Sequence, residues 1–375
     1  MRHFLGLVLI LLLTTCNNRP QSVAGHEKEN PPGRLEKHPK NVILMIGDGM
    51  GIGQISAGMF LNGNHLNLEN FKVVGLHKSY SSDNLVTDSA AGATAFSCGK
   101  KTFNGAIGVS ADTLSCKTIL EEAKENDYAT GMVVTSTIVH ATPASFIAHV
   151  DSRQKYEEIA EFFLSGKVDF FVGGGKKYFD RRAKDERNLI EELQKSGYVC
   201  SDYFREDFEN VKINPDKKFG FFTADEDPLP ASQGRDYLPD ASGAALKYLK
   251  DQNKKGFFLM IEGSQIDWGG HANNSEFIIT EMIDFDKAVG EVLDFAKKDG
   301  NTLVIVTADH ETGGYSINSG SSLDTIVAGF TTKGHTAALI PVFAYGPGAE
   351  LFGGIYENTS IYDKMRAAFG FQAHY

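Results

Sequence analysis

The sequence predicts an α/β protein: a three-layer α/β/α sandwich with a central, largely parallel sheet and a functional site at the C-terminal ends of its strands. Two observations carry this reading. Short apolar runs recur at 42–46, 72–76, 130–134, 169–172, 219–222, 257–261, 303–306 and 342–345. Most are apolar throughout rather than alternating, as strands are when helices cover both faces of a sheet. Between them lie stretches of helical character, and strands alternating with helices imply parallel βαβ units.

The N-terminus comes first. MRHFLGLVLILLLTTC has a basic start and an apolar run over 4–13, which is too short to span a bilayer and suits a signal peptide. Two exits are open. Cleavage before Cys16 would make 1–16 a lipoprotein signal and Cys16 a lipid anchor, although Thr15 is larger than the residue usual there. Ordinary cleavage would follow Ser22-Val23-Ala24. The lipoprotein exit is preferred, and either one takes the chain out of the cytosol to a periplasmic, membrane-anchored or secreted location. Residues 17–40 are polar, rich in Pro, Asn, Lys and Glu, and without periodicity, so they read as a tether. Residues 41–375 form the predicted catalytic domain.

Helices are expected at 117–124, at 154–164 ending before Gly166, and at 187–195 ending before Gly197. The longest is 275–298. Ile278, Met282, Phe285, Val289, Val292 and Ala296 fall at three- and four-residue steps along it. Ser275 is the expected cap, and Lys297, Lys298 and Gly300 mark the end.

Bulk composition narrows the function. The chain has 375 residues, 42% of them hydrophobic and 23% charged, in the range of soluble globular proteins. A net charge of −11 argues against a nucleic-acid-binding surface, which needs a basic face. It does not exclude a phosphate site, because bound metal ions can make a positive spot on an acidic protein. Cys98, Cys116 and Cys200 match no zinc spacing. They read as buried thiols or as one pair plus a free thiol, and an oxidising compartment would permit a Cys98–Cys116 bridge.

Ligands of open α/β sheets bind beyond the carboxyl ends of the strands. Asp48 follows the run in NVILMIGDGM, and His140 and Thr142 follow the one in GMVVTSTIVHATP. Glu262, Asp267 and His271 follow GFFLMI, and Asp309 and His310 follow NTLVIVTA. His335 lies in TKGHTA. Each alone has a plain explanation as a turn, a surface pair or a packed histidine. Hard oxygen and nitrogen donors at four strand exits together suggest more than one divalent ion, with Zn²⁺ at imidazole-containing sites and Mg²⁺ at an all-oxygen one. GDGMGIG lacks the spacing of a dinucleotide loop, and its Asp would repel a pyrophosphate. VTDSAAGATAF pairs Asp88 with Ser89 but offers no nearby histidine as a base. The small residues after Ser89 fit a turn into a closely packed helix N-terminus, which favours phosphate.

From residue 41 to nearly the end, the chain resembles the alkaline phosphatases. The resemblance rests on VILMIGDGMG, TDSAAGATAF, HATPASF, EGSQIDWGGHAN, TADHETGG and GHTAALIPVFAYGPGA, in that order. It implies hydrolysis of phosphate monoesters to an alcohol and inorganic phosphate through a phosphoserine, with two Zn²⁺ and one Mg²⁺ per subunit. By position it makes Ser89 the nucleophile. Asp267, His271 and His335 become ligands of the first zinc, and Asp48, Asp309 and His310 those of the second. Asp48, Thr142 and Glu262 become the magnesium site. Arg153 becomes the phosphate grip and Asp88 its partner. Three divalent ions and Arg153 would outweigh the four ligand carboxylates by about three charges, the right sign for a phosphate dianion. Zinc can lower a bound water's pKa to about 7, so a coordinated serine needs no adjacent base.

Two positions depart from the best-known bacterial pattern. His140 replaces an Asp and is expected to hold a water of the third metal rather than the metal itself. Trp268 replaces a Lys in the substrate site and removes a cation near the phosphate. The short stretch 311–334 implies a compact member with little or no crown region, and the family implies a homodimer. A phosphodiesterase or phosphomutase of the same superfamily is the alternative enzyme, disfavoured by Arg153. A phosphate- or metal-binding protein without turnover is the non-enzymatic alternative, disfavoured by Ser89.

Overall fold

The computed structural model describes Met1 and residues 37–372 except Asn253. All described elements belong to the compact unit 34–375. The expected signal segment, Cys16, the site after Ala24 and the tether up to residue 36 lie outside the described residues.

Eight longer strands come first: β1 Asn41–Gly47, β2 Val73–Lys78, β3 Ala129–Thr137, β4 Phe170–Gly174, β5 Tyr198–Asp202, β6 Lys218–Phe222, β7 Phe257–Gly263 and β8 Thr302–Thr307. Four two-residue strands follow: β9 Glu311–Thr312, β10 Ser316–Ile317, β11 Ala328–Gly329 and β12 His335–Thr336. β13 Ile340–Tyr345 and β14 Gly354–Glu357 complete the set. The central sheet has ten strands in the order β14-β2-β13-β8-β1-β7-β3-β4-β6-β5. Only β13 runs antiparallel to its neighbours there, against β2 and β8, so the sheet is largely parallel as expected.

The helices are α1 Ile52–Leu61, α2 Ser89–Cys98, α3 Ile119–Glu125, α4 Ala141–Ala144, α5 Tyr156–Glu161, α6 Lys177–Asp180, α7 Leu189–Lys195, α8 Tyr237–Lys250, α9 Ile266–His271, α10 Ser275–Asp299 and α11 Ser360–Phe369. They form two layers, and β1 shows why. Alternate strand residues face opposite sides. Val42, Leu44 and Ile46 join a core with Phe96 of α2, Leu120 of α3 and Met365 of α11. Ile43 and Met45 join a second core with Leu249 of α8 and Met282, Phe285 and Val289 of α10. Every β1 residue is buried, so no polar alternation survives in the sequence. No described helix is long and apolar enough to cross a membrane.

Two local expectations are corrected. The cap of α10 is Asn274, whose side chain accepts from the Phe277 N–H at 3.1 Å. Ser275 is instead the first helical residue, and its hydroxyl lies 2.6 Å from the Tyr315 hydroxyl. The helix expected over 154–164 splits into α5 and a 3₁₀ turn over Phe162–Ser165. α1, α2, α4, α6, α8, α9 and α11 are helices that the periodicity did not delimit. α10 ends at Gly300 in the left-handed conformation, as expected.

Candidate active site

Parallel strands end on one edge, and the loops leaving β1, β3, β7 and β8 bring their polar residues together there. Asp48 follows β1, Glu262 lies near the end of β7, and Asp309 and His310 follow β8. α9 presents Asp267 and His271 one turn apart, and β12 pairs with β9 to bring His335 opposite Thr312. Gly49 permits the crowding, with φ 71°. A Cβ there would come within 2.7 Å of the Asp267 Cα.

Ser89 is the first residue of α2 and is 2% exposed. Its Oγ lies 3.3 Å from His310 Nε2. The helix is built almost wholly of small residues, so its N-terminal half lies close under the β8 exit. At Gly92 a Cβ would meet the Asp309 Cβ at 3.0 Å. Asp88 caps this helix. Its Oδ1 accepts from the Ala91 N–H at 3.0 Å, and its Oδ2 accepts from the Gly105 N–H at 3.0 Å and from Arg153 Nη1 at 2.9 Å. The cap of the serine helix and the anchor of the arginine are therefore one carboxylate.

The histidine tautomers follow from their partners. His335 Nδ1 lies 2.8 Å from the Thr87 carbonyl, and His271 Nδ1 lies 2.5 Å from the Lys333 carbonyl. Carbonyls only accept, so both Nδ1 atoms carry the proton. Thr312 Oγ1 donates to Asp267 Oδ1 at 2.5 Å and so accepts from His310 Nδ1 at 3.2 Å. All three Nε2 lone pairs then face the cluster. His271 Nε2 and His335 Nε2 stand 3.1 Å apart, a distance that needs a proton or a cation between them. Asp267 approaches both, at 3.3 Å from His271 and 3.5 Å from His335.

The carboxylates repeat the pattern. Asp48 Oδ1, Glu262 Oε1 and Asp309 Oδ2 are buried without a hydrogen-bond partner. Burial, then the neighbouring Asp309, Asp267 and Glu262, push Asp48 well above the usual carboxylate range. Burial and Asp267 push Asp309 up to about 7, and burial pushes Glu262 up to about 8 against hydrogen bonds from Ser264, Thr142 and Ser136. Asp267 goes the other way. Burial opposes its charge, but His271, His310 and His335 hold it well below the usual range. Buried unpaired carboxylate oxygens are costly, and divalent cations are their natural complement. Candidate ligand atoms lie within 4.8 Å of one another in three groups: Asp267 with His310 and His335, Asp48 with Asp309 and His310, and Asp48 with His140 and Glu262. The residues present thus fit metal ions on geometry and donor chemistry.

Thr142 Oγ1 lies 3.5 Å from Asp48 Oδ2. His140 Nε2 lies 3.4 Å from Arg153 Nη2. Arginine only donates, so His140 Nδ1 carries its proton, and that atom is buried without a partner. Burial and the Arg153 charge lower the His140 pKa to about 3. Trp268 is half-buried and meets the His140 ring edge-on at 6.2 Å. Every site residue expected from the sequence therefore lies in one contiguous cluster. Thr312 was not expected. The pattern offered only its place two residues after His310. A cavity of about 520 Å³ between Tyr203, Phe208, Leu229 and Asp240 includes none of these residues.

Residues 39–328 match the family model described as alkaline phosphatase. The chain is 37% identical to alkaline phosphatase 3 of Bacillus subtilis over 91% of this chain and 90% of that protein. It is 32% identical to the Escherichia coli alkaline phosphatase over 89% and 87%. Its fold is similar to the alkaline phosphatase of the Antarctic bacterium TAB5, with a TM-score of 0.85 and 47% identity over 90% of this chain and 100% of that one. Two variants of that enzyme, with one histidine replaced by glutamate or aspartate, hold magnesium in their M3 site. The chain belongs to the alkaline phosphatase family, and it is a metal-dependent hydrolase of phosphate monoesters whose family acts through a serine intermediate.

Proposed function

We propose that Ser89 is the nucleophile, that Arg153 grips the phosphate, and that the cluster holds two Zn²⁺ and one Mg²⁺. Asp267, His271 and His335 would hold the first zinc and Asp48, Asp309 and His310 the second. Asp48, Thr142 and Glu262 would hold magnesium. The observation that carries this reading is the convergence of three Nε2 lone pairs and three unpartnered carboxylate oxygens beside the Ser89 hydroxyl. Bound divalent ions lower the pKa of a coordinated hydroxyl and offset charge on the oxygens entering and leaving phosphorus.

The chain's own residues supply the rest. Arg153 presents a planar fork to the non-bridging oxygens of a dianionic monoester, and Asp88 keeps that fork aimed. The N-terminus of α2 directs its partial positive charge toward the phosphate. Ser89 Oγ attacks phosphorus in line and the alcohol departs. Water then releases phosphate from Ser89, so two inversions retain configuration. His140, whose Nδ1–H is buried without a partner, would hold a water of the third metal, a role outside the ligand set. Magnesium is held in the M3 site of TAB5 variants in which a histidine is replaced by an acid, which fits that ion's preference for oxygen donors. Trp268 forms one wall of the substrate site.

The same reading includes a homodimer, export, and a lipid on Cys16. Sedimentation of the purified domain tests the dimer, and loss of membrane association in Cys16→Ser tests the anchor. The decisive assay compares a phosphate monoester with a diester, with and without chelator, beside metal analysis. Chelator-sensitive monoesterase activity with two zinc and one magnesium per chain is the expected result. Preferential diester hydrolysis or chelator-resistant turnover would overturn it.

A further inference from the structure

We propose that Cys98 and Cys116 form a reversible disulfide that ties the far end of the Ser89 helix to the loop holding Asp88 and Arg153. α2 runs from Ser89 to Cys98 and ends at Gly99 in the left-handed conformation. The Cys98 thiol donates to the Cys116 carbonyl oxygen at 3.3 Å, across 18 residues of sequence. Cys98 is buried and Cys116 half-buried. The loop between them is not idle. Asn104 Oδ1 accepts from the Asp88 N–H at 3.0 Å, Gly105 N–H donates to Asp88 Oδ2 at 3.0 Å, and the Gly105 carbonyl accepts from the Arg153 N–H at 2.7 Å. A bridge would close this loop at its base and restrict the segment that positions the phosphate grip.

The two thiols are unequal. Burial and the adjacent Cys116 thiol raise the Cys98 pKa, whereas the Cys98 hydrogen bond and then the His149 and Lys100 charges lower that of Cys116. Cys116, half-buried where Cys98 is buried, is the sulfur an external disulfide reaches first, so it attacks and Cys98 resolves. The oxidant is a low-molecular-weight disulfide. Cys116 sulfur bonds to one of its sulfurs, the S–S bond breaks, and one thiolate leaves. That thiolate takes the Cys98 proton. Cys98 then attacks Cys116 sulfur and expels the second thiol. Two cysteine thiols lose two electrons and the external disulfide becomes two thiols. Cys200 stays apart, its thiol pushed up to about 12 by burial.

The test equilibrates the metal-saturated full chain in glutathione buffers of graded redox ratio, followed by acid quench and non-reducing peptide mapping. Oxidation should yield a linked peptide carrying residues 98 and 116, lighter than its reduced parts by two hydrogens, and should raise Tm by roughly 5 °C. Cys116→Ser should abolish both responses. A persistent glutathione adduct on Cys116, or unmodified thiols at every ratio, would overturn the proposal. A linked peptide without a Tm shift would overturn the staple.

Discussion

Thr312→Val removes one hydroxyl and keeps the β-branched shape. The Thr312 side chain is fully buried, and its hydroxyl joins Asp267 Oδ1 at 2.5 Å to His310 Nδ1 at 3.2 Å. Two candidate ligands, one for each proposed zinc, are thus oriented by one oxygen. The backbone pairing of Thr312 with His335 survives the change. A hydrogen bond to a charged group is worth about 1.5–3 kcal/mol, which corresponds to roughly 10- to 150-fold in an equilibrium constant. Loss of a partner that orients a metal ligand costs about 10–100-fold in metal affinity or activity, in agreement. Activity titrated against buffered free Zn²⁺ should show the half-saturation point raised by roughly 10–100-fold. The plateau kcat should stay within a few-fold of wild type. Unchanged zinc affinity would refute the reasoning. So would a loss of kcat that saturating zinc does not restore, since the hydroxyl would then act in the chemistry rather than by orienting ligands.

Arg153→Ala should lower kcat/KM on a monoester by roughly 100-fold, the equivalent of a charge-assisted contact of about 3 kcal/mol, and affect a diester far less. Equal losses on both substrates would argue that the guanidinium only supports the loop. Trp268→Lys restores a cation near the phosphate. The inhibition constant for inorganic phosphate should fall by roughly 10-fold, read from steady-state kinetics, and an unchanged constant would remove Trp268 from the substrate site. Glu121 supplies a pH test away from the metals. Burial opposes its charge, but His149 and Lys167 hold its pKa at about 2, below the usual 4.5. Its stabilisation is therefore present above pH 4.5 and lost as pH falls toward 2. In equilibrium unfolding, wild type should exceed Glu121→Gln by up to about 3 kcal/mol near pH 6, and the gap should close as pH drops below 4. A constant gap would show that the interaction is not ionic.

Fully buried strands were legible because burial on both faces leaves an uninterrupted apolar run, as in β1 and β8. β5 and β14 escaped notice for the opposite reason. They are the edge strands, YVCSD and GIYE, partly exposed and too mixed to stand out. α8 carries Pro239 and Gly243, two signals that usually break a helix. Pro239 sits in the first turn, where its missing N–H costs nothing. α2 has no apolar stripe at all, because close packing under β8 demands small side chains from it. The donors Asp48, Thr142, Glu262, Asp309 and His310 were legible at strand exits, a consequence of parallel topology, whereas the roles of Ser89, Asp88 and Arg153 came from the family resemblance. The tautomers were not, since they depend on the Thr87 and Lys333 carbonyls and on Thr312, which reach the histidines only through tertiary packing.

The central claim is that Ser89 reacts and the metal cluster stands independently of it. Ser89→Ala, purified alongside wild type, should retain the wild-type zinc and magnesium content while monoester turnover falls by roughly three orders of magnitude or more. Near-wild-type, chelator-sensitive turnover in that variant at full metal content would contradict the account.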